Sequence, residues 1–332
     1  MTTKAEEPKF FYELVRILDN AYTGDNLSIS REVESIAMKF EKKGLNERAN
    51  KLLAKAERLK SRSGKGFIQL QQSTEKLGFE LFSPSESLNK ARNFIPTYAN
   101  KIKIAELVSV VNKREVFWEA EIPIPNKTLM FGQPGTGKTV SAHYISGILD
   151  LPLILVRLDT LISSSLGGTA GNLRKAFDAA NKQPCVLFLD EFDAIATNRS
   201  QLTGDGAENE MKRVVNSLLQ NLDSLNDEVM LFAATNLERE IDPAVWRRFH
   251  NRMDFQLPSE DEMLLYLNRN LDDNLLINDI LDLLMGRSFS EIEIILNKAK
   301  TKCILRTVEM TREIVLESIN ENLMQTREVG YR

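Results

Sequence analysis

Cysteine is almost absent: Cys185 and Cys303 are the two in 332 residues. Neither lies in a C-x-x-C or histidine-rich spacing, so neither a disulfide framework nor a zinc site is signalled. Both read as buried free thiols of a reducing cytoplasm, the expected location. Histidine is equally scarce, with only His143 and His250. No Ser/His/Asp or Cys/His nucleophile constellation and no H-E-x-x-H motif can be assembled, so any proteolysis would have to come from a partner chain. No apolar run has the length to cross a bilayer, and Met1–Glu7 lack the apolar centre of a secretion signal, so membrane insertion is not expected. An excess of one charge is missing too. The chain has 43 Lys+Arg against 47 Asp+Glu, a net charge of −4, which supplies no overall pull toward nucleic acid or anionic membrane. Low-complexity tracts and internal repeats are not evident.

What remains is an ordinary globular composition, 42% hydrophobic and 27% charged, long enough for two or three domains and a substantial core. Its most informative stretch is Gly132-Gln133-Pro134-Gly135-Thr136-Gly137-Lys138-Thr139, followed by Val140. The spacing fits G-x-x-x-x-G-K-[ST], a loop that wraps nucleotide phosphates. Glycines let the backbone turn its N–H groups inward. Lys138 brings a positive charge to the β- and γ-phosphates, and Thr139 offers a hydroxyl to Mg²⁺. Thr128–Phe131 reads as a buried strand and Val140–Ile145 as the start of a helix, whose N-terminus adds partial positive charge.

A second element is Val186-Leu187-Phe188-Leu189-Asp190-Glu191, an apolar strand ending in two acids. In a phosphate-loop protein Asp190 is placed to hold Mg²⁺ and Glu191 to polarise the attacking water. Ala233-Ala234-Thr235-Asn236 ends the next apolar strand, where the Asn236 amide can orient the water or sense the γ-phosphate; a plain Asx-turn is the alternative. Arg247-Arg248-Phe249 with Arg252 follows. Such a charge run can be a solvated face or a means of stabilising phosphate charge across an interface. His143 is expected to pack, and His250 to help order the arginines.

Strands at 128–131, 153–158, 186–190, 229–234 and 253–257 alternate with helical stretches at 172–181 and 209–222, the βαβ rhythm of a parallel sheet. The predicted fold class is therefore α/β. Residues 1–62 read as a small helical bundle, 63–124 as a linker and lead-in, 125–258 as the α/β unit and 259–332 as an all-helical end. In that last part, Ser288-Phe289-Ser290-Glu291 forms a predicted capping box. The run 101–117 suggests a helix. The basic stretch 51–65 reads as a solvated face and joint, and nucleic acid is an unfavoured partner.

Taken together, the phosphate loop, the Leu-Asp-Glu strand, Ala-Thr-Asn and the arginine pair resemble the AAA group of AAA+ ATPases over roughly residues 125–310. Arg247-Arg248-Phe249 with Arg252 is similar to the katanin and spastin type. The resemblance implies ATP and Mg²⁺ as ligands and a helical lid after Pro258. It also implies a hexameric ring in which Arg247 and Arg248 act as fingers on a neighbour's ATP. It aligns Ser165-Leu166-Gly167 with the substrate-gripping pore loop, where serine replaces the family's aromatic residue, and this weakens the expected grip. No arginine stands at a lid-sensor position. Gly286 and Ser288 become candidate lid contacts, and Ile102-Lys103-Ile104 a candidate neighbour of the adenine. The implied activity is remodelling of a protein client or complex. The alternatives are an ATP-driven assembly switch for a partner effector and, less favoured, a nucleic-acid motor.

Overall fold

A computed structural model describes residues 79–163, 169–196, 205–271 and 274–329, with seven further helical positions between 33 and 53. The strands are β1 Glu80–Phe82, β2 Lys127–Gly132, β3 Leu153–Arg157, β4 Cys185–Asp190, β5 Val229–Thr235 and β6 Asn251–Phe255. They form one sheet in the order β1-β3-β4-β5-β2-β6, parallel throughout except for β1, which runs antiparallel to β3. The expected α/β fold with a parallel sheet is what the chain adopts.

Side chains of one strand point alternately to the two faces of a sheet. In β4, Cys185, Leu187 and Leu189 enter one core, while Val186 and Phe188 enter the other. Both faces are covered, so the central strands are continuous apolar runs, as buried parallel strands should be. Burying one such Phe188 stabilises the fold by about 2–3 kcal/mol. The first face is covered by α6 Thr169–Ala180, α7 Asp193–Ala196 and α8 Asp205–Asp223, and the second by α4 Lys138–Leu149 and α2 Tyr98–Asn112. Between β3 and α6 lies the short α5, Leu158–Ser163; after β5 a 3₁₀ turn leads to α9, Pro243–Trp246.

The stretch before the phosphate loop is harder to read in sequence, and the structure gives it specific work. β1 extends the sheet, and α1 Pro84–Lys90 lies along α4. The helix expected over 101–117 is two, α2 and α3 Arg114–Glu119, broken at Lys113. α2 also shields the outer edge of β6. Asn100 Nδ2 donates to the Asp254 carbonyl at 2.9 Å, and the Lys103 ammonium reaches the Arg252 carbonyl.

After Pro258 no strand follows among the described residues. Four helices, α10 Glu260–Asn270, α11 Asn274–Leu284, α12 Phe289–Arg306 and α13 Arg312–Val329, enclose a core of their own. The predicted capping box at Ser288 and Glu291 is present, and a second occurs at Ser259 and Glu262. Cys185 is wholly buried, and burial pushes its thiol up to about 12, whereas Cys303 is only partly buried. Among the described residues no helix is long and apolar enough to cross a membrane.

Candidate nucleotide site

The site stands at the carboxyl ends of β2, β4 and β5, where a parallel sheet opens its crevice beside a reversal of strand order. β2 delivers the chain to Gly132, whose φ is +142°. A Cβ there would lie 2.1 Å from the Phe255 carbonyl oxygen, so both conformation and space demand glycine. Thr136 Oγ1 donates to the Gln133 carbonyl at 2.7 Å and holds the turn of the loop. Gly137, at φ +100°, caps α4 without any side-chain cap bond, leaving the first N–H groups of the helix for an anion.

Lys138 is nearly buried and folds back over the loop. Its ammonium donates to the carbonyls of Gly132 at 2.8 Å and Gln133 at 2.9 Å, and to Asn236 Oδ1 at 2.8 Å. Burial pushes its pKa down to about 8, against the opposing pull of Asp190 and Asp193. Thr139 Oγ1 donates to Asp190 Oδ2 at 2.9 Å. That contact brings two hard oxygens together across the loop. The donor set fits Mg²⁺, which takes one or two protein oxygens and completes its shell with phosphate and water.

Glu191 follows Asp190 in a left-handed conformation, φ +54°, with its N–H on Asp190 Oδ1 at 3.1 Å. This turn directs its carboxylate out of the strand and into the open. Desolvation, then the nearby Asp159, Asp190 and Asp193, raise its pKa above the usual glutamate value. A base with raised proton affinity is better suited to drawing a proton from water. Asn236 stands at the tip of β5, where Lys138 bonds it; Thr139 bonds Asp190, and Glu191 follows Asp190 with its carboxylate near Asp159.

Several contributors were not anticipated. Asp193 Oδ1 accepts from Thr235 Oγ1 at 2.9 Å and from the Asn236 N–H at 3.3 Å. It ties the exit of β4 to the exit of β5 and fixes the backbone from which the Asn236 side chain leaves. The signal was a third acid two residues after Glu191. The cleft beside the loop has a different wall from the one expected. Ile102, Lys103 and Ile104 do not line it: Ile102 is exposed, Lys103 reaches the β6 edge and Ile104 enters the core under α2. A cleft of about 340 Å³ opens instead between Phe94, Ile95, Gly137, Val140 and the lid residues Tyr266 and Phe289. Nothing in the local sequence marked Phe94 and Ile95, because their placement depends on α1 docking against α4.

The helices after Pro258 cover this cleft. Ser290 N–H donates to the Gly135 carbonyl at 3.1 Å, and Arg269 Nη1 donates to the Phe94 carbonyl at 3.0 Å. Ser288 lies against Gly135 of the phosphate loop, and Gly286 makes the turn before it, at φ +76°. Pro134 and Gln133 are exposed on the crest of the loop. His143 is a packing residue, edge-on to Phe82 at 4.7 Å with Nδ1 3.3 Å from Ser87 Oγ.

The arginines lie elsewhere. The His250 N–H bonds the Lys127 carbonyl at 3.0 Å, which puts the 247–250 segment at the opposite end of β2 from the phosphate loop. Six residues of strand separate the two, roughly 17 Å at the usual rise. Arg247 is exposed, while Arg248 is engaged with Asp223. Ser165, Leu166 and Gly167 fall outside the described residues, as does nearly all of the expected N-terminal bundle.

Comparison with known proteins agrees with this geometry. The profile of the ATPase family associated with various cellular activities (AAA) matches residues 128–257. The AAA family ATPase y4kL of Sinorhizobium fredii is 37% identical over 237 residues, covering 70% of each chain. An ATP-dependent zinc metalloprotease FtsH of Ruminiclostridium cellulolyticum is 32% identical over 209 residues, 60% of this chain and 34% of its own. A protein of Methanocaldococcus jannaschii named as a homologue of a 26S proteasome regulatory subunit is 37% identical over 145 residues, 42% of this chain and 38% of its own. With a phosphate loop, an acid pair and a strand-end asparagine meeting at one sheet edge, and with these relatives, the chain belongs to the AAA family of ATPases.

Proposed function

We propose that the chain is the subunit of an Mg²⁺-dependent ring ATPase, a hexamer, that converts ATP hydrolysis into remodelling of a protein client or complex. One observation carries the reading. The hydrolytic residues gather at one edge of the sheet, while Arg247 and Arg248 stand at the other, a strand's length away. An arginine so placed serves a nucleotide held by a second copy, head to tail, and a head-to-tail contact that closes makes a ring.

Within one site the roles follow from chemistry. The loop N–H groups and Lys138 bind the β- and γ-phosphates. Thr139 and Asp190 hold Mg²⁺, which would neutralise phosphate charge. Glu191 draws the proton from the attacking water. Asn236, steered by Asp193, orients that water and reports the state of the γ-phosphate. An arginine from the neighbour stabilises charge in the transition state.

The remodelling part rests on kinship. FtsH relatives are named as ATP-dependent proteases and others as homologues of a proteasome subunit, although each matches this chain over little more than a third of its own length. Residues 1–62 would recognise the client or partner, 63–124 would lead into the ATPase unit and 259–332 would form its lid. The katanin and spastin likeness rests on Arg247-Arg248-Phe249 and Arg252 alone. Ser165 at the expected gripping position favours a second reading, an ATP-driven assembly switch that controls a separate effector such as a protease. A Glu191→Gln chain loaded with ATP, captured with its bound proteins, tests both. Bound, partly unfolded clients support remodelling; one stoichiometric folded partner supports the switch. ATP turnover at the wild-type rate in that variant would sink the assignment of Glu191.

A further inference from the structure

The four residues Trp246 to Phe249 form a small platform at the amino-terminal edge of the sheet, and three of the four are pinned. The Trp246 ring lies 6.2 Å from Phe131, and the Arg252 guanidinium sits 4.4 Å from its centre. Phe249 is buried and meets Phe192 edge-on at 5.5 Å. Arg248 makes a two-pronged bond to Asp223, Nε to Oδ1 at 2.8 Å and Nη2 to Oδ2 at 3.0 Å, while its Nη1 donates to the Ala244 carbonyl at 2.7 Å. Arg247 is exposed; its N–H bonds the Pro243 carbonyl at 3.2 Å, but its side chain makes no hydrogen bond or ion pair with any described residue.

We propose that the adjacent arginines divide their work. Arg247 is the finger that touches a neighbour's phosphate, and Arg248 with Asp223 is a clamp that positions it. The proposal rests on the oligomeric ATPase reading above. It departs from the expectation that both arginines act as fingers.

The physical argument is one of cost. Arg248 can reach a phosphate only by breaking three hydrogen bonds and abandoning the Asp223 carboxylate, and charge-assisted forked bonds are the strong kind. Arg247 breaks none. The clamp contributes little to overall stability, because both of its partners are partly exposed. Its value is geometric, since a finger held in place loses less freedom on reaching the transition state than a mobile one. Two of the three pins also lead toward the subunit's own site. Phe131 precedes the phosphate loop, Phe192 follows Glu191, and Asp223 closes α8, which packs under the same sheet. The finger is thus mounted on the same rigid parts that surround its own nucleotide.

The test measures kcat and KM for ATP, melting temperature and oligomer size in five variants of the full chain: Arg247→Ala, Arg248→Ala, Arg248→Lys, Asp223→Ala and the Asp223→Ala/Arg248→Ala double. Arg247→Ala is expected to lower kcat by about 10³-fold. Asp223→Ala and Arg248→Ala each lower it by about tenfold, with KM and melting temperature unchanged, and the double variant is no worse than either single. Arg248→Lys recovers part of the loss, because an ammonium can keep one prong. Adding Glu191→Gln subunits, which carry intact fingers, restores turnover to Arg247→Ala subunits. Wild-type kcat in Asp223→Ala together with a 10³-fold loss in Arg248→Ala overturns the proposal, because Arg248 would then act on phosphate itself. Losses that follow a falling melting temperature also overturn it, reducing the clamp to a structural bond. A wild-type chain with no turnover would instead sink the ATPase reading, and the division of labour with it.

Discussion

The Lys138 ammonium and the Asn236 amide oxygen are 2.8 Å apart, joining the phosphate loop after β2 to the tip of β5. The same lysine nitrogen also holds two loop carbonyls, so all three of its protons are used. A γ-phosphate must take at least one of those protons, and Asn236 is the partner best placed to give it up. On the proposed reading, nucleotide binding would free the Asn236 amide to turn toward water. Lys138→Ala should abolish ATP binding. Asn236→Ala should keep affinity within a few-fold and lose about 10–100-fold in kcat, within the range of a lost polarising group. Titration with a fluorescent ATP analogue, set beside phosphate release, separates the two.

Glu191→Gln removes the proposed base and keeps the shape. Turnover should fall by about 10²-fold or more while ATP binding persists. Asp193→Ala should leave binding intact as well and cost about tenfold in kcat, because the Asn236 N–H and the Thr235 hydroxyl lose their shared acceptor. Single-turnover kinetics with ATP in excess of its dissociation constant read both effects free of binding.

Gly135→Ala probes the seat of the lid. Its φ of +75° is strained for alanine, and the added Cβ would lie 2.7 Å from Ser288 Oγ and 2.9 Å from Ser290 Cβ. The left-handed conformation alone costs about 1–2 kcal/mol. The start of α12 should be pushed off the loop, with ATP affinity reduced about tenfold or more. Hydrogen exchange at residues 288–292 should rise in the variant, while exchange in β4 and β5 stays as in the wild type.

His143 makes stability depend on pH. Burial, then the Lys90 charge, hold its pKa down at about 4, below the ordinary 6.5. Between those values the unfolded chain binds more protons than the folded one, so stability is complete above about pH 6.5 and falls as pH drops toward 4. A melting temperature recorded from pH 8 to pH 4 should be flat and then descend. His143→Asn should flatten the descent between 6.5 and 4, because the asparagine carries no charge in either state. An unchanged slope would assign the loss to carboxylates elsewhere.

The order of chemistry along the chain was legible because each piece is local. Gly132–Thr139 needs only its own glycines and lysine to make a phosphate cradle, and β4 and β5 announce themselves as apolar runs ending in Asp190-Glu191 and Thr235-Asn236. The capping box at Ser288 is likewise a matter of four adjacent residues. Phe94 and Ile95 are different. Phe94 enters the core under the sheet and Ile95 the core of the lid, and neither destination can be read from Ala91-Arg92-Asn93 before them. Ile102–Ile104, expected near the adenine, do not line the cleft for the same reason: proximity in sequence to the phosphate loop is not proximity across the sheet.

The sequence by itself determined the reaction: a phosphate loop, a carboxylate pair and a strand-end amide, whose spacing fits them to bind and hydrolyse a nucleoside triphosphate. Tertiary structure alone decided how those groups are aimed. Asp193 holds Asn236 over Lys138, Ser290 seats the lid on Gly135, and Asp223 takes Arg248 while leaving Arg247 exposed. These are contacts between residues 25 to 155 positions apart, brought together by burial of both faces of the sheet, and no periodicity or local motif encodes them.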